Sequence, residues 1–236
     1  MSPRSSLRSS PTPVGAFVPV SPPPAARPRG GPLPGTPPVP PRGAGLRLRV
    51  GLYGGSFNPA HEGHRHVAGL ALGRLRLDQV WWLVSPGNPL KPTAGMAPLD
   101  RRVAEAGRVA RHPRFRVGDL EGPLGTRYTV DTVRRLKRRF PRCRFVWLIG
   151  ADNLRQMPRW RDWVGLARTL PIAVFDRPTY AFKALAGKAA KRLARFRRPD
   201  RAAAGLAGRR APAWVFLHTP RHPASASAIR ARRHGR

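Results

Sequence analysis

From Leu46 onward, short apolar runs alternate with stretches in which apolar positions recur at helical spacing. The strand-like runs are Leu46 to just beyond Gly51, QVWWLVS at 79–85, FRVGD at 115–119, RFVWLIG at 144–150, PIAVFD at 171–176 and AWVFLH at 213–218. Between them, HRHVAGLALGRL, LDRRVAEAGRVAR, TVDTVRRLKRRF and WRDWVGLARTL carry the helical period. Strands that are apolar on both faces and separated by helices predict an α/β fold, a Rossmann-like doubly wound parallel sheet covered on both sides, over residues 46–236. Such a sheet binds ligands at the carboxyl ends of its strands, where the strand order reverses.

Two segments break the pattern. Residues 1–45 are rich in Pro, Gly, Ser and Arg, have no periodicity and carry only isolated large apolar residues. They cannot bury enough surface to offset their ordering entropy, which predicts a disordered tail. Residues 178–212 read as a basic insertion, a helical KALAGKAAKRLARFRR followed by a flexible GLAGRRAPA, with a solvated basic face.

Composition narrows the function classes less than it first suggests. The net charge of +34 attracts anions of every kind, but arginine supplies most of it alongside abundant Ala, Gly and Pro, as GC-rich coding would produce. The single cysteine, Cys143, excludes an internal disulfide and lies in an apolar run, where an inert core thiol is expected. No run approaches the roughly 18 apolar residues of a membrane helix. A cytoplasmic protein with no membrane partner is the expectation, and the oligomeric state, a homo-oligomer included, is left open.

The densest candidate chemistry is GLYGGSFNPAHEGHRHVA, from Gly51 to Ala68. A zinc-protease helix needs histidine four residues after His61, and that position is Arg65. The glycines at 51, 54 and 55 fit neither GxGxxG nor a Walker loop. A zinc site of His61, His64 and His66 has only Glu62 as an acidic neighbour. What the stretch offers is a strand end, glycines Gly54 and Gly55 that permit a tight turn and close approach to a ligand, and a helix start between Pro59 and Gly63. A helix N-terminus favours anions, and His61 and His64, three apart, point from that end toward whatever binds there.

GGSFNPAHEGH resembles the HxGH signature of the nucleotidyltransferase superfamily, with Asn58 where the pattern commonly carries Asp. Asn keeps the turn-forming side chain without the charge, so Asn58 is given no metal or acid role. HPASASAIRARR resembles the superfamily's ISSTxIR element, with Ser225 and Ser227 at a helix start and Arg230 in its first turns. A serine cap leaves N–H groups for phosphate, and arginine grips it bidentately. RYTVDTVRRL, IGADNLRQMPRW and DRP resemble segments of the bacterial nicotinate-nucleotide adenylyltransferase family, a likeness that covers roughly residues 47–232. Phosphopantetheine adenylyltransferases share the two phosphate elements only.

The resemblance implies the nucleotidyltransferase fold and adenylyl transfer from ATP to nicotinate mononucleotide, with Mg²⁺ held mainly by the ATP phosphates. It implies catalytic roles for His61 and His64 and a phosphate cradle of Gly54, Gly55, Ser56 and Phe57, completed by Ser225, Ser227 and Arg230. Thr129 at a helix start would receive the nicotinate carboxylate, Trp160 would stack on the pyridine, and Asp152 would contact the nucleotide ribose or its surroundings. Lys91 and Arg177, basic residues at strand ends, are expected to contact phosphate. Two other readings compete: a related adenylyltransferase with nicotinamide mononucleotide or phosphopantetheine as acceptor, and an RNA-associated binding protein. The second rests on charge alone and lacks an RRM aromatic pair or a KH loop, so nucleic acid is not an expected partner.

Overall fold

The computed structural model describes residues 47–87, 95–176 and 181–218. The expectations for residues 1–45 and for Lys91, Arg177, Ser225, Ser227 and Arg230 lie outside the described residues.

All six expected strands form. They are β1 (Arg49–Gly55), β2 (Gln79–Val84), β3 (Phe115–Gly118), β4 (Arg144–Gly150), β5 (Ile172–Phe175) and, last in the chain, β7 (Trp214–Leu217). A seventh, β6 (Arg197–Arg198), pairs with β7 at one edge. The order is β3-β2-β1-β4-β5-β7-β6, and every pairing is parallel. The chain therefore builds outward from β1 to β3, then returns to place β4 on the other side of β1. That reversal opens a crevice above the carboxyl ends of β1 and β4.

Strand alternation supplies two cores, one on each face. Leu52, Trp81, Leu83, Trp147 and Ile149 face one side and pack with Val130, Val133, Leu136 and Phe140 of α4 (Thr129–Arg139) and its C-terminal cap. Val80, Trp82, Val84, Val146 and Leu148 face the other, against Ala68, Ala71 and Leu72 of α1 (Glu62–Arg74) and Ala106 of α2 (Leu99–Val109). Cys143 is buried, as expected, and burial pushes its thiol up from the ordinary value. The remaining helices are α3 (Glu121–Leu124), α5 (Ala151–Gln156), α6 (Trp163–Thr169), α7 (Ala181–Leu185) and α8 (Lys188–Arg192).

Two expectations need correction. The basic face of residues 181–212 is solvated as expected, Lys183, Lys188, Lys191, Arg192 and Arg195 being exposed, but the segment is packed rather than flexible: Ala184, Ala189, Ala190 and Leu193 join one core, and a 3₁₀ helix at Asp200–Gly208 puts Ala203, Leu206 and Ala207 into the other. The small apolar residues between the basic ones line the inward side, so the charges mask a packed segment. The helix expected over WRDWVGLARTL begins late, at Trp163, because Asp162 is its cap in a left-handed conformation (φ +43°, ψ +46°). Trp160 is therefore extended (φ −80°, ψ 144°) and does not share a helical face with Trp163.

Candidate active site

The crevice is built from the end of β1 and the start of α1. His61 caps α1 with extended backbone (φ −153°, ψ 168°) and is buried, 7% exposed. Its backbone N–H donates to Nδ1 of His64 at 3.2 Å, and the two rings lie 3.8 Å apart between centroids. A nitrogen that accepts cannot carry the proton, so the proton of a neutral His64 sits on Nε2. The His64 N–H is taken up by His61 O at 2.8 Å, and the positive end of the α1 dipole adds a field that favours anions.

Phe57 holds this arrangement from beneath. It is 2% exposed, with its ring stacked on Trp82 at 5.1 Å and edge-on to His64 at 5.0 Å. Its backbone has φ +45°, unfavourable for a residue with a Cβ and sustained here by the packing of the ring. Gly54 answers to packing too: a Cβ there would come within 2.6 Å of the Trp147 indole. Gly55 is closed off less tightly, by the Phe57 ring at 3.3 Å. Asn58 donates through Nδ2 to Gly95 O and accepts from Ala97 N–H, both at 3.2 Å, so it ties the turn to the approach to α2.

One site-supporting residue escaped the sequence reading. Arg102 of α2 is 1% exposed and donates to Ala97 O at 2.8 Å, Ser56 O at 2.8 Å, Ser85 O at 2.6 Å and Pro86 O at 3.0 Å. It joins the loop after β1, the loop after β2 and the start of α2. Burial pulls its guanidinium below the ordinary value, with Asp119 opposing. The signal was present: Arg102, Ala106 and Ala110 fall four apart along one helix stripe, and both alanines are buried.

Ser85 links Arg102 to a half-buried titratable group. Glu121, at the start of α3, is pushed up to about 7, chiefly by burial, with Ser85 opposing and Asp119 reinforcing. Ser85 Oγ is 2.8 Å from Gly87 O and 3.0 Å from Glu121 Oε2. A hydroxyl has one hydrogen, so both contacts are hydrogen bonds only when the carboxyl supplies the second.

The other half of the candidate site lies at the α4 N-terminus and the segment before α6. Tyr128 caps α4 and Thr129 is its first residue, one position later than a capping role for Thr129 requires. The Arg161 guanidinium sits 4.6 Å from the centroid of the Tyr128 ring, so Thr129 and Trp160 are each one residue from this contact. Trp160 packs half-buried against the core on the α4 side. Asp152 is in the first turn of α5, directly after β4. The structure thus gathers Gly54, Gly55, Ser56, Phe57, His61 and His64 at the α1 end, and Thr129 with Trp160 at the α4 end.

Fold and site together define a nucleotidyltransferase, and the cytidylyltransferase-like family matches residues 52–232. A protein of Methylorubrum extorquens named probable nicotinate-nucleotide adenylyltransferase is 53% identical over 185 residues, 78% of this chain and 100% of its own length. One of the same name from Parvibaculum lavamentivorans is 55% identical over 185 residues, 78% of this chain and 92% of its own. The chain belongs to the nicotinate-nucleotide adenylyltransferase family. The structure of Plasmodium falciparum nicotinic acid mononucleotide adenylyltransferase complexed with NaAD matches with a TM-score of 0.57 at 16% identity, covering 78% of this chain and 82% of that one, a likeness of fold.

Proposed function

We propose that this protein transfers the adenylyl group of ATP to nicotinate mononucleotide, giving deamido-NAD and pyrophosphate. The observation that carries the reading is the His61–His64 pair packed ring to ring at the α1 N-terminus, with Nε2 as the proton-bearing nitrogen of a neutral His64. An oxygen of the acceptor's phosphate bonds to the α-phosphorus of ATP as the bond to the pyrophosphate oxygen breaks, and pyrophosphate leaves with the electron pair. The acceptor is its own nucleophile, so the protein's part is positioning and charge stabilisation.

In this reading His64 Nε2 and the α1 N-terminus donate to the triphosphate, and the backbone of Gly55, Ser56 and Phe57 shapes its seat. Ser225, Ser227, Arg230, Lys91 and Arg177 would add contacts to phosphate. Thr129 and the α4 N-terminus receive the nicotinate carboxylate, which favours that acid over a neutral amide. Trp160 would supply the surface for the pyridine, and Asp152, in the first turn after β4, would contact the nucleotide ribose or its surroundings.

Mg²⁺ fits as a companion of the nucleotide. Among the described residues no three His, Cys, Asp or Glu side chains converge on one point, and the α1 end presents donors suited to phosphate oxygens. The phosphates would hold the ion, whose chemistry when bound would be charge neutralisation. A cytoplasmic location suits this chemistry and the single cysteine. Among the described residues no helix is long and apolar enough to cross a membrane.

The test is pyrophosphate release from ATP and Mg²⁺ with nicotinate mononucleotide, nicotinamide mononucleotide or phosphopantetheine as acceptor. Turnover fastest with the nicotinate acceptor is expected. A preference for either other acceptor, or no turnover with any, would overturn the assignment.

A further inference from the structure

The segment Trp160–Arg161–Asp162 that leads into α6 is fastened to α4 at two successive points. Arg161 lies over the Tyr128 ring at 4.6 Å, and Asp162 Oδ2 accepts from Arg134 of α4 at 2.7 Å. Asp162 also caps α6, its Oδ1 accepting from Gly165 N–H at 3.0 Å. Arg134 is the largest influence holding the Asp162 carboxyl below its ordinary range, followed by the Gly165 N–H. Farther along, Lys137 Nζ donates to Thr169 O at 2.8 Å, so α4 and α6 are joined at both ends of α6.

The Arg134–Asp162 pair is too exposed to matter much for stability: the two side chains are 43% and 46% accessible. Its effect is geometric. One carboxylate fixes both where α6 begins and how the residues before it lie against the first turns of α4. Trp160 is two residues before that carboxylate, and Thr129 is five residues before Arg134.

We propose that Arg134 and Asp162 are positioning residues that set the spacing between Trp160 and the α4 N-terminus, and so the fit of the acceptor nucleotide but not of ATP. The proposal rests on the acceptor site assigned above. Neither residue touches the substrate in this scheme. Each acts through the chain that carries Trp160.

Asp162→Asn is the informative variant, because Asn tolerates the left-handed backbone and still caps Gly165 while losing the ion pair. The expected result is a rise of about tenfold in KM for nicotinate mononucleotide, with KM for ATP and kcat changed by less than about twofold. Arg134→Met should give the same pattern, the double variant no more than either single one, and Arg134→Lys a partial recovery. Thermal unfolding of the full chain should move little in all four. Unchanged acceptor KM, additive effects in the double variant, or parallel losses toward both substrates would overturn the proposal. Failure of the wild-type protein to use this acceptor would instead strike the functional assignment, and the inference would fall with it.

Discussion

At His64 the proposed donor is Nε2, and what fixes it as the proton-bearing nitrogen is a backbone N–H three residues earlier. Nδ1 is engaged by the amide of His61, so the ring is oriented and its tautomer set before any ligand arrives. Replacing such a preorganised donor to developing charge costs about a hundredfold in turnover. His64→Ala is therefore expected to lower kcat by at least about a hundredfold while the urea midpoint shifts little. A near-normal rate would reduce His64 to a helix cap. Glu121 gives a second prediction at this scale. Its carboxyl is raised from 4.5 to about 7, so the folded protein holds this proton more tightly than the unfolded chain does. The stability it contributes is complete below pH 4.5 and is lost as pH rises through about 7. Glu121→Gln keeps a donor for Ser85 Oγ without ionising. The difference in unfolding free energy between variant and wild type should widen in the variant's favour across that window, by at most about 2–3 kcal/mol. A pH-independent difference would show that the carboxyl is solvated.

Elements were legible where hydrophobic pattern alone decides them. β2 and β4, apolar on both faces, read as central strands, and the glycines at the end of β1 with the histidines at the start of α1 singled out the candidate site. Where a single side chain sets a boundary, periodicity misleads. WRDWVGLARTL scans as one helix, yet Asp162 takes the left-handed conformation and starts α6 three residues later than the pattern suggests. The clue was a capping signal, an Asp three residues before Gly165, not a hydrophobic one. β6 could not be read at all, because its two residues are exposed arginines at a sheet edge, where charge discourages further pairing. Arg102 was missed for a related reason: a charged residue on the buried stripe of an amphipathic helix is discounted until its partners are seen. Those partners are four carbonyls, three of them in the loops after β1 and β2. Arg102→Met keeps much of the volume and strips all four of their donor. It should destabilise the fold by about 3–5 kcal/mol in urea titrations. A loss below about 1 kcal/mol would mean that water replaces the guanidinium.

For the whole molecule the dominant quantity is charge. A chain at +34 folds because, among the described residues, the arginines stay on the periphery of two apolar cores, apart from the buried Arg102, four of whose five N–H groups reach carbonyls. The ion pairs that do form, Arg49–Asp78 at 2.8 Å and the contact between Arg74 and Asp200 among them, are partly exposed and add little to stability. The excess charge acts instead on what approaches. Both proposed substrates are anions bound for a crevice whose α1 end presents a helix N-terminus and two histidines, so the field of the whole chain and that of the site point the same way. Screening separates the two. Raising ionic strength from about 0.01 M to about 0.15 M shortens the Debye length from about 30 Å to about 8 Å, which silences remote arginines but leaves contacts within the site almost intact. kcat/KM for each substrate should then fall several-fold while kcat holds, a pattern read directly from initial rates in buffers of constant pH and Mg²⁺. A rate that ignores salt would show that the peripheral arginines contribute nothing to capture, and that the charge serves some purpose other than this reaction.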